Sequence, residues 1–243
     1  MPRPWISFAG KDWEQWGRLA GYLRRKGQPR RLGMYEDLTV EAARKYHEAT
    51  YSVGLGAGRR FAKQVDLSRR TLLLDLGGGS GAYSIAAAQA YPNIRAIVLD
   101  LPPVVEVTKE FIARHDLSGR IGTVAADFTR DPLPRGADVA VMASNLPQYA
   151  PSVVREIVSK AYKALEPGGE MHLVGEMLNN DRKGPLLAAL YALYEAIHDS
   201  GGVAHTVDEV IEYLREAGFS GVYSREFIPA ILTRVSGVKW AFQ

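Results

Sequence analysis

The segment Leu72-Leu73-Leu74-Asp75-Leu76-Gly77-Gly78-Gly79-Ser80-Gly81 sets an apolar run, an acid and four glycines within ten residues. Glycines let the backbone turn sharply and let a ligand lie against bare peptide. The helix-forming stretch that follows, from Ala82 to Tyr91, brings free N–H groups to the same point, where they face an anionic or electron-rich group. Two ligand classes use such a loop. Gly77-x-Gly79-x-x-Ala82 fits the dinucleotide fingerprint loosely. Gly77-x-Gly79-x-Gly81 with Asp75 just ahead fits an S-adenosylmethionine loop better, because a carboxylate there repels a pyrophosphate and suits an ammonium, directly or through water. The remaining alternative is a glycine-rich turn without a ligand.

Other candidates fall at the ends of apolar segments. Asp100 stands 19 residues after Gly81 and can accept hydrogen bonds from two ribose hydroxyls; otherwise it is an ordinary loop carboxylate. Asp127 can accept from an adenine amino group while Phe128 covers the ring; the alternative is an Asp turn beside a core phenylalanine. Asn145 can hold the polar head of a cofactor or a substrate oxygen, or it simply opens a proline-containing loop. Tyr191, Glu195 and His198 stand at i, i+4 and i+7 of a helix expected over 185–199, so they share a face, with Tyr194 beside them. That face offers hydrogen bonds and a proton acceptor to a substrate, although polar groups at one helix edge are common. Thr206 and Glu209 form a capping box, which accounts for Glu209 next to His205.

The remaining histidines are less informative. His47 can line a cleft roof, His115 is expected to face solvent, and His172 lies within a strand and reads as packing. No histidine–carboxylate set has metal-ligand spacing, so no metal is expected. There is no G-x-S-x-G elbow for nucleophilic hydrolysis.

These residues need a scaffold. Strands are expected over 71–75, 94–100, 121–125, 137–143 and 170–177, with helices over 81–91, 103–115 and 151–165 between them. Such alternation predicts an α/β fold, a Rossmann-like doubly wound sheet, mostly parallel, with ligands beyond the carboxyl ends of the strands. Segments 221–227 and 229–235 are nearly contiguous and should pair antiparallel. Ahead of the sheet, 12–26 and 39–66 read as helices. The first carries an apolar stripe of Trp13, Trp16, Leu19, Ala20 and Leu23; Thr39 is a candidate cap for the second. The division expected is a helical cap segment over 1–66 and a catalytic domain over 67–243.

Bulk properties narrow the class. The 243 residues suffice for one large core, and 47% hydrophobic with 23% charged content is ordinary for a globular chain. No apolar run is long enough to span a bilayer and no secretory leader is legible, so a cytoplasmic protein without membrane contact is expected. The absence of cysteine removes disulfides and thiolate chemistry. Up to Arg70 there are 15 Lys+Arg against 7 Asp+Glu, leaving 15 against 20 beyond it. The densest cluster is Arg24, Arg25, Lys26, Arg30 and Arg31. It reads as a solvated helix end or as a contact for an acidic partner; without interleaved aromatics, nucleic acid is not expected.

The pieces in this order resemble the class I S-adenosylmethionine-dependent methyltransferases. More narrowly, residues 11–240 resemble the C-terminal part of the plant- and hydroxyindole-type small-molecule O-methyltransferases. The carrying segments are Leu73 to Gly81, Val98 to Pro102, Ala126 to Pro134, Leu165 to Val174, and Thr206 to Phe219. The resemblance implies S-adenosylmethionine as cofactor, lined by Gly77, Gly79 and Gly81 near Asp75, with Asp100 and Leu101 at the ribose, Asp127 and Phe128 at the adenine, and Asn145 at the polar head. It implies methylation of a small, aromatic acceptor, on oxygen first. Nitrogen or carbon acceptors, nucleic acid on the same fold, and a non-catalytic cofactor-binding subunit are the alternatives.

Two departures from the family pattern bear on these expectations. The chain opens where the family's winged-helix dimerisation domain would finish, as a natural short form or a trimmed chain, so homodimerisation is an open expectation. The family's general-base histidine lies in a Leu-His-Asp-Trp-like segment, whereas this chain has Leu146-Pro147-Gln148-Tyr149. Either Tyr191, Glu195 or, first among them, His198 takes over, or the acceptor needs no base.

Overall fold

A computed structural model describes residues 13–17, 19–24, 37–197 and 202–240. Its centre is a seven-stranded sheet in the order β3-β2-β1-β4-β5-β7-β6. The strands are β1 (Leu72–Leu76), β2 (Arg95–Asp100), β3 (Ile121–Ala125), β4 (Ala137–Ala143), β5 (Leu165–Gly175), β6 (Ser220–Ile228) and β7 (Leu232–Val238). The first five pair in parallel, while β7 runs antiparallel to both β5 and β6. The doubly wound fold expected from the alternation is the fold observed.

Burial explains why the strands read as near-continuous apolar runs. Both faces of the parallel strands are covered. Leu73, Val139, Val141 and Val174 pack into one core with Phe61, Ile85 and Phe111. Leu74, Ala140, Met142 and Leu173 point into the other with Val154, Ile157 and Tyr213. The helices α4 (Ala82–Ala90) and α5 (Pro102–Ala113) serve the first face, α6 (Pro151–Ala164) and α8 (Val207–Glu216) the second. Helix α8 opens with the expected capping box of Thr206 and Glu209.

The N-terminal region departs from expectation. Two short helices, α1 (Trp13–Trp16) and α2 (Leu19–Leu23), stand where one was expected over 12–26. Gly17 lies in the turn between them; glycine is a poor helix former, about 1 kcal/mol worse than alanine. Trp13 is 81% exposed, so it does not extend a buried stripe. Of the basic cluster, Arg24 is exposed and the other four lie outside the described residues.

Helix α3 (Val40–Gln64) starts at Thr39, whose side chain accepts from the Ala42 N–H at 3.1 Å. Its buried residues Ala43, Ala57 and Phe61 join the same core as β1 and α4. The crossing with α4 is close. A Cβ on Gly58 would come within 2.7 Å of the Ala82 carbonyl oxygen. The glycine is needed there for approach, at the expense of helix propensity.

Candidate functional site

The chain moves outward from β1 to β3 in one direction and from β4 to β5 in the other. The reversal leaves a crevice beyond the carboxyl ends of β1 and β4, the place where open α/β sheets take ligands. A cavity of about 920 Å³ lies there. Asp127, Asn145 and Glu176 follow β3, β4 and β5, Asp100 ends β2 and Asp75 lies one residue before the end of β1, and all line it.

The glycine loop forms its floor. Gly77, Gly79 and Gly81 all have positive φ. Gly79 has φ +56°, and a Cβ there would stand 2.6 Å from Cε1 of His47, which reaches down from α3. Gly81 does not line the cavity; a Cβ there would meet Val98 and Thr108 at 3.5 Å, in the packing behind the loop. Asp75 is 1% exposed and accepts from Ser84 Oγ at 2.7 Å. Burial pushes its carboxyl up to about 6, partly offset by Ser84.

Asp100 accepts from the N–H of Gly79 and of Leu101, each at 2.8 Å. Burial pushes it to about 6 against these bonds. Leu101 lines the cavity beside it. At the β3 end, Asp127 Oδ1 accepts from the Thr129 N–H at 2.9 Å and from its hydroxyl at 2.6 Å, closing a turn. Asp127 Oδ2 lies 3.7 Å from Arg130. Phe128 is buried edge-on to Tyr149, with centroids 5.6 Å apart. Asn145 donates from Nδ2 to the Leu76 carbonyl at 3.2 Å, while its buried Oδ1 has no partner. An orphaned buried acceptor is costly, and at the mouth of the glycine loop it fits a ligand donor such as an ammonium.

Residues 20–220 match the O-methyltransferase domain family. The chain belongs to that family. It is 34% identical over 195 residues, 80% of this chain and 56% of the relative, to 3-hydroxy-5-methyl-1-naphthoate 3-O-methyltransferase of Streptomyces sahachiroi. It is 36% identical over 165 residues, 68% of this chain and 45% of the relative, to L-tyrosine C(3)-methyltransferase of Streptomyces lavendulae. The chain thus spans about half the length of these curated relatives. The crystal structure of human N-acetylserotonin methyltransferase, a complex with S-adenosylmethionine, superposes with a TM-score of 0.84 at 26% identity. That superposition covers 98% of this chain and 70% of the human one.

The other end of the cavity is walled by α7 (Leu186–Ile197) and α3. Tyr191 and Glu195 line it, as their shared helix face predicts, and Tyr194 lies with its ring centroid 5.7 Å from that of Tyr191. His198 lies outside the described residues. Tyr46 of α3 is pushed up to about 12, by burial first and then by the fields of Glu195, Glu176 and Asp100. His47 is lowered to about 4 by burial and is neutral near pH 7. Pro147 is buried in a 3-10 turn over Leu146–Gln148, and it is Gln148 that lines the cavity.

Glu176 is the residue that sequence reasoning passed over. Its Oε2 is buried without a hydrogen-bond partner, and burial, then Glu195, raise its carboxyl to about 7. The strand expected over 170–177 ran through it. The observed strand starts at Leu165 and stops at Gly175, which puts Glu176 on the same carboxyl edge as Asp100. The usable signal was an acid directly after an apolar run, Met171 to Gly175.

The remaining histidines are structural. His205 pairs with the Tyr213 hydroxyl at 3.0 Å and the Tyr149 carbonyl at 2.9 Å. His172 is buried, 2.8 Å from Ser236 Oγ and edge-on to Phe61. His115, expected in solvent, is half-buried and bonded to the Tyr51 hydroxyl and Gln89, because α3 packs over α5 and brings Tyr51 to it. No group of three or more metal-ligating side chains occurs among the described residues.

Proposed function

We propose that the protein is an S-adenosylmethionine-dependent methyltransferase acting on a small aromatic acceptor, with oxygen as the first candidate for the acceptor atom. The observation that carries this reading is the row Asp127, Asp100, Asp75 and Asn145 along consecutive strand ends around the glycine loop. Neighbouring strands lie ~4.8 Å apart, so the row spans the length of an adenosine joined to an amino acid. Asp127 and Phe128 meet the base, Asp100 the ribose hydroxyls, and Asn145 Oδ1 the ammonium, with Asp75 supporting the loop from beneath.

S-adenosylmethionine supplies an electrophilic methyl on a positively charged sulfur. The chain's contribution is to hold the acceptor in line with that methyl in a cleft shielded by α3 and α7, where position alone accounts for much of the acceleration. Pro147 cannot take a proton. The titratable groups that line the cavity among the described residues include Tyr46, His47, Tyr83, Glu176, Tyr191, Tyr194 and Glu195; Tyr191 and Glu195, with His198 three residues further along the sequence, remain the proposed catalytic set. The carbon specificity in the name of the Streptomyces lavendulae relative supports carbon as the second candidate atom.

Six carboxylates line the cavity against a single described lysine or arginine, Arg130. That balance argues against the pyrophosphate of a dinucleotide and against a nucleic-acid substrate. No helix among the described residues is long and apolar enough to cross a membrane. The reading extends to residues 1–66 as a cap, to a cytoplasmic location supported by the cysteine-free composition, and to a homodimer on family resemblance. Calorimetry with S-adenosylhomocysteine, followed by transfer of labelled methyl to a panel of phenols, amines and activated aromatics, tests the assignment. Absence of cofactor binding by folded protein refutes it.

A further inference from the structure

Among the described residues that line the cavity, three buried polar atoms have no hydrogen-bond partner: Tyr83 Oη, Asn145 Oδ1 and Glu176 Oε2. Asn145 is taken up in the cofactor reading. The other two are complementary, because a phenol hydroxyl donates and a carboxylate oxygen accepts. Tyr83 is 6% exposed and stands in the first turn of α4, just after the glycine loop. Its ring centroid lies 5.6 Å from that of Phe61. Helix α3 presses on its backbone at Gly58, where a Cβ would come within 3.0 Å of the Tyr83 Cα. Both contacts hold the ring in place. Burial first, then the fields of Asp75 and Glu176, raise the phenol well above its ordinary range, so it stays a donor. Asp75 already accepts from Ser84, which leaves Glu176 as the unsatisfied acceptor of the two. A buried donor and a buried acceptor left unpaired are both costly. Glu176 follows β5, three strands from the Asp100 that closes β2. Roughly 14 Å thus separates it from the ribose acid, and the hydroxyls of the cofactor are out of its reach.

We propose that Tyr83 and Glu176 together receive one hydroxyl of the methyl acceptor, which accepts from Tyr83 Oη and donates to Glu176 Oε2. This rests on the methyltransferase reading and names the residues that select a hydroxylated acceptor. A single ligand group then satisfies both buried atoms. An ether oxygen satisfies Tyr83 alone, and a methyl group satisfies neither. An ammonium has no lone pair for Tyr83. A carboxylate has no proton for Glu176 and sets a second negative charge beside it. A site built to hydrogen-bond a hydroxyl rejects the analogue lacking it far more strongly than an apolar pocket rejects one methylene.

The test uses the full chain saturated with S-adenosylhomocysteine, whose own titration checks the cofactor reading separately. The probes are 2-naphthol, 2-methoxynaphthalene and 2-methylnaphthalene. They share a ring system and offer a donor with an acceptor, an acceptor only, and neither. Titrated at pH 8, where the Glu176 carboxyl is mostly ionised, the naphthol should bind at least ~10-fold more tightly than the other two. Tyr83→Phe and Glu176→Leu should each remove most of that preference, with the affinities for 2-methylnaphthalene and S-adenosylhomocysteine retained. Because both bonds go to one oxygen, the double variant should lose less than the product of the two single losses, a coupling that separate structural roles would not produce. If Glu176→Leu does not fold, Glu176→Gln replaces it; it trades a charged acceptor for a neutral one and should lower the preference by a smaller factor. No preference for the naphthol, or no binding of it to cofactor-loaded protein, overturns the proposal. So does a preference that survives the variants, the result expected if water alone bridges the pair, or losses that simply multiply. A fall in S-adenosylhomocysteine affinity confined to Tyr83→Phe overturns it too, by placing that hydroxyl on the cofactor. Failure of S-adenosylhomocysteine to bind the parent strikes instead at the methyltransferase reading.

Discussion

The backbone N–H of Gly79 donates to Oδ2 of Asp100 at 2.8 Å. The acid expected to serve only a ribose thus also fastens the glycine loop to the end of the neighbouring strand. Its other oxygen takes the Leu101 N–H, which leaves lone pairs on both oxygens for hydroxyls. Asp100→Ala should therefore have two effects. Affinity for S-adenosylhomocysteine should fall by about 1–3 kcal/mol, through loss of bonds to a charged acceptor. The ligand-free protein should also melt lower, because two backbone donors lose their partner. Calorimetry and a thermal scan on the same preparation check both. Unchanged affinity with an intact fold would falsify the ribose assignment.

Two glycines of α3, two residues apart, should respond to alanine with opposite signs. A Cβ on Gly58 would meet the Ala82 carbonyl oxygen at 2.7 Å and the Ala86 Cβ at 3.1 Å, whereas Gly56 is exposed with nothing within 4 Å. Gly56→Ala should stabilise by roughly 0.5–1 kcal/mol from helix propensity. Gly58→Ala gains the same propensity but forces α3 off α4, and should destabilise by about 1–3 kcal/mol. Urea unfolding of the three proteins reads the sign directly. Because α3 also carries Tyr46 and His47 into the cavity, Gly58→Ala should weaken cofactor binding as well.

What was legible in the sequence was what burial writes into it. Parallel strands covered on both faces appear as apolar runs, and the runs at Leu72, Arg95, Ile121 and Ala137 ended close to where they were expected. Acids at those ends were legible for the same reason. Strand ends inside a longer mixed run were not. Leu165 pairs with Ala137, and after the irregular stretch Glu166-Pro167-Gly168-Gly169 pairing resumes at Glu170; the strand then stops at Gly175, early enough to free Glu176. The last pair was misplaced too: β7 begins at Leu232, after a turn through Ala230 with φ +57°, which non-glycine residues seldom adopt. The Gly54–Gly58 approach to α4 depends on which helix crosses which, and no local periodicity carries that information.

Asn145 offers a third check. Its Nδ2 is committed to the Leu76 carbonyl, which fixes Oδ1 toward the cavity. A ligand ammonium would relieve an acceptor that is buried and unpaired. Asn145→Ala should weaken S-adenosylhomocysteine by about 1–2 kcal/mol. The thermal shift caused by saturating ligand should shrink in parallel. A variant that binds as tightly as the parent moves the ammonium elsewhere, with Asp75 the next acid in the row.

Glu176 gives a dependence on pH whose direction can be worked out. Its folded-state carboxyl is raised to about 7, against an ordinary glutamate near 4.3. Below pH ~4 the group is protonated in both folded and unfolded chains and contributes nothing. Between the two values the folded chain keeps a proton that the unfolded chain has released, so stability falls as pH rises. Above pH ~7 the full cost of a buried charge is present. Glu176→Gln removes it, so the variant should gain on the parent by about 2 kcal/mol between pH 5 and pH 8, after allowance for water reaching the cavity mouth. Comparing the two proteins at each pH cancels the opposing titration of His47, His172 and His205, all lowered by burial. A stability difference independent of pH would mean that the Glu176 carboxylate is already paired in the folded protein.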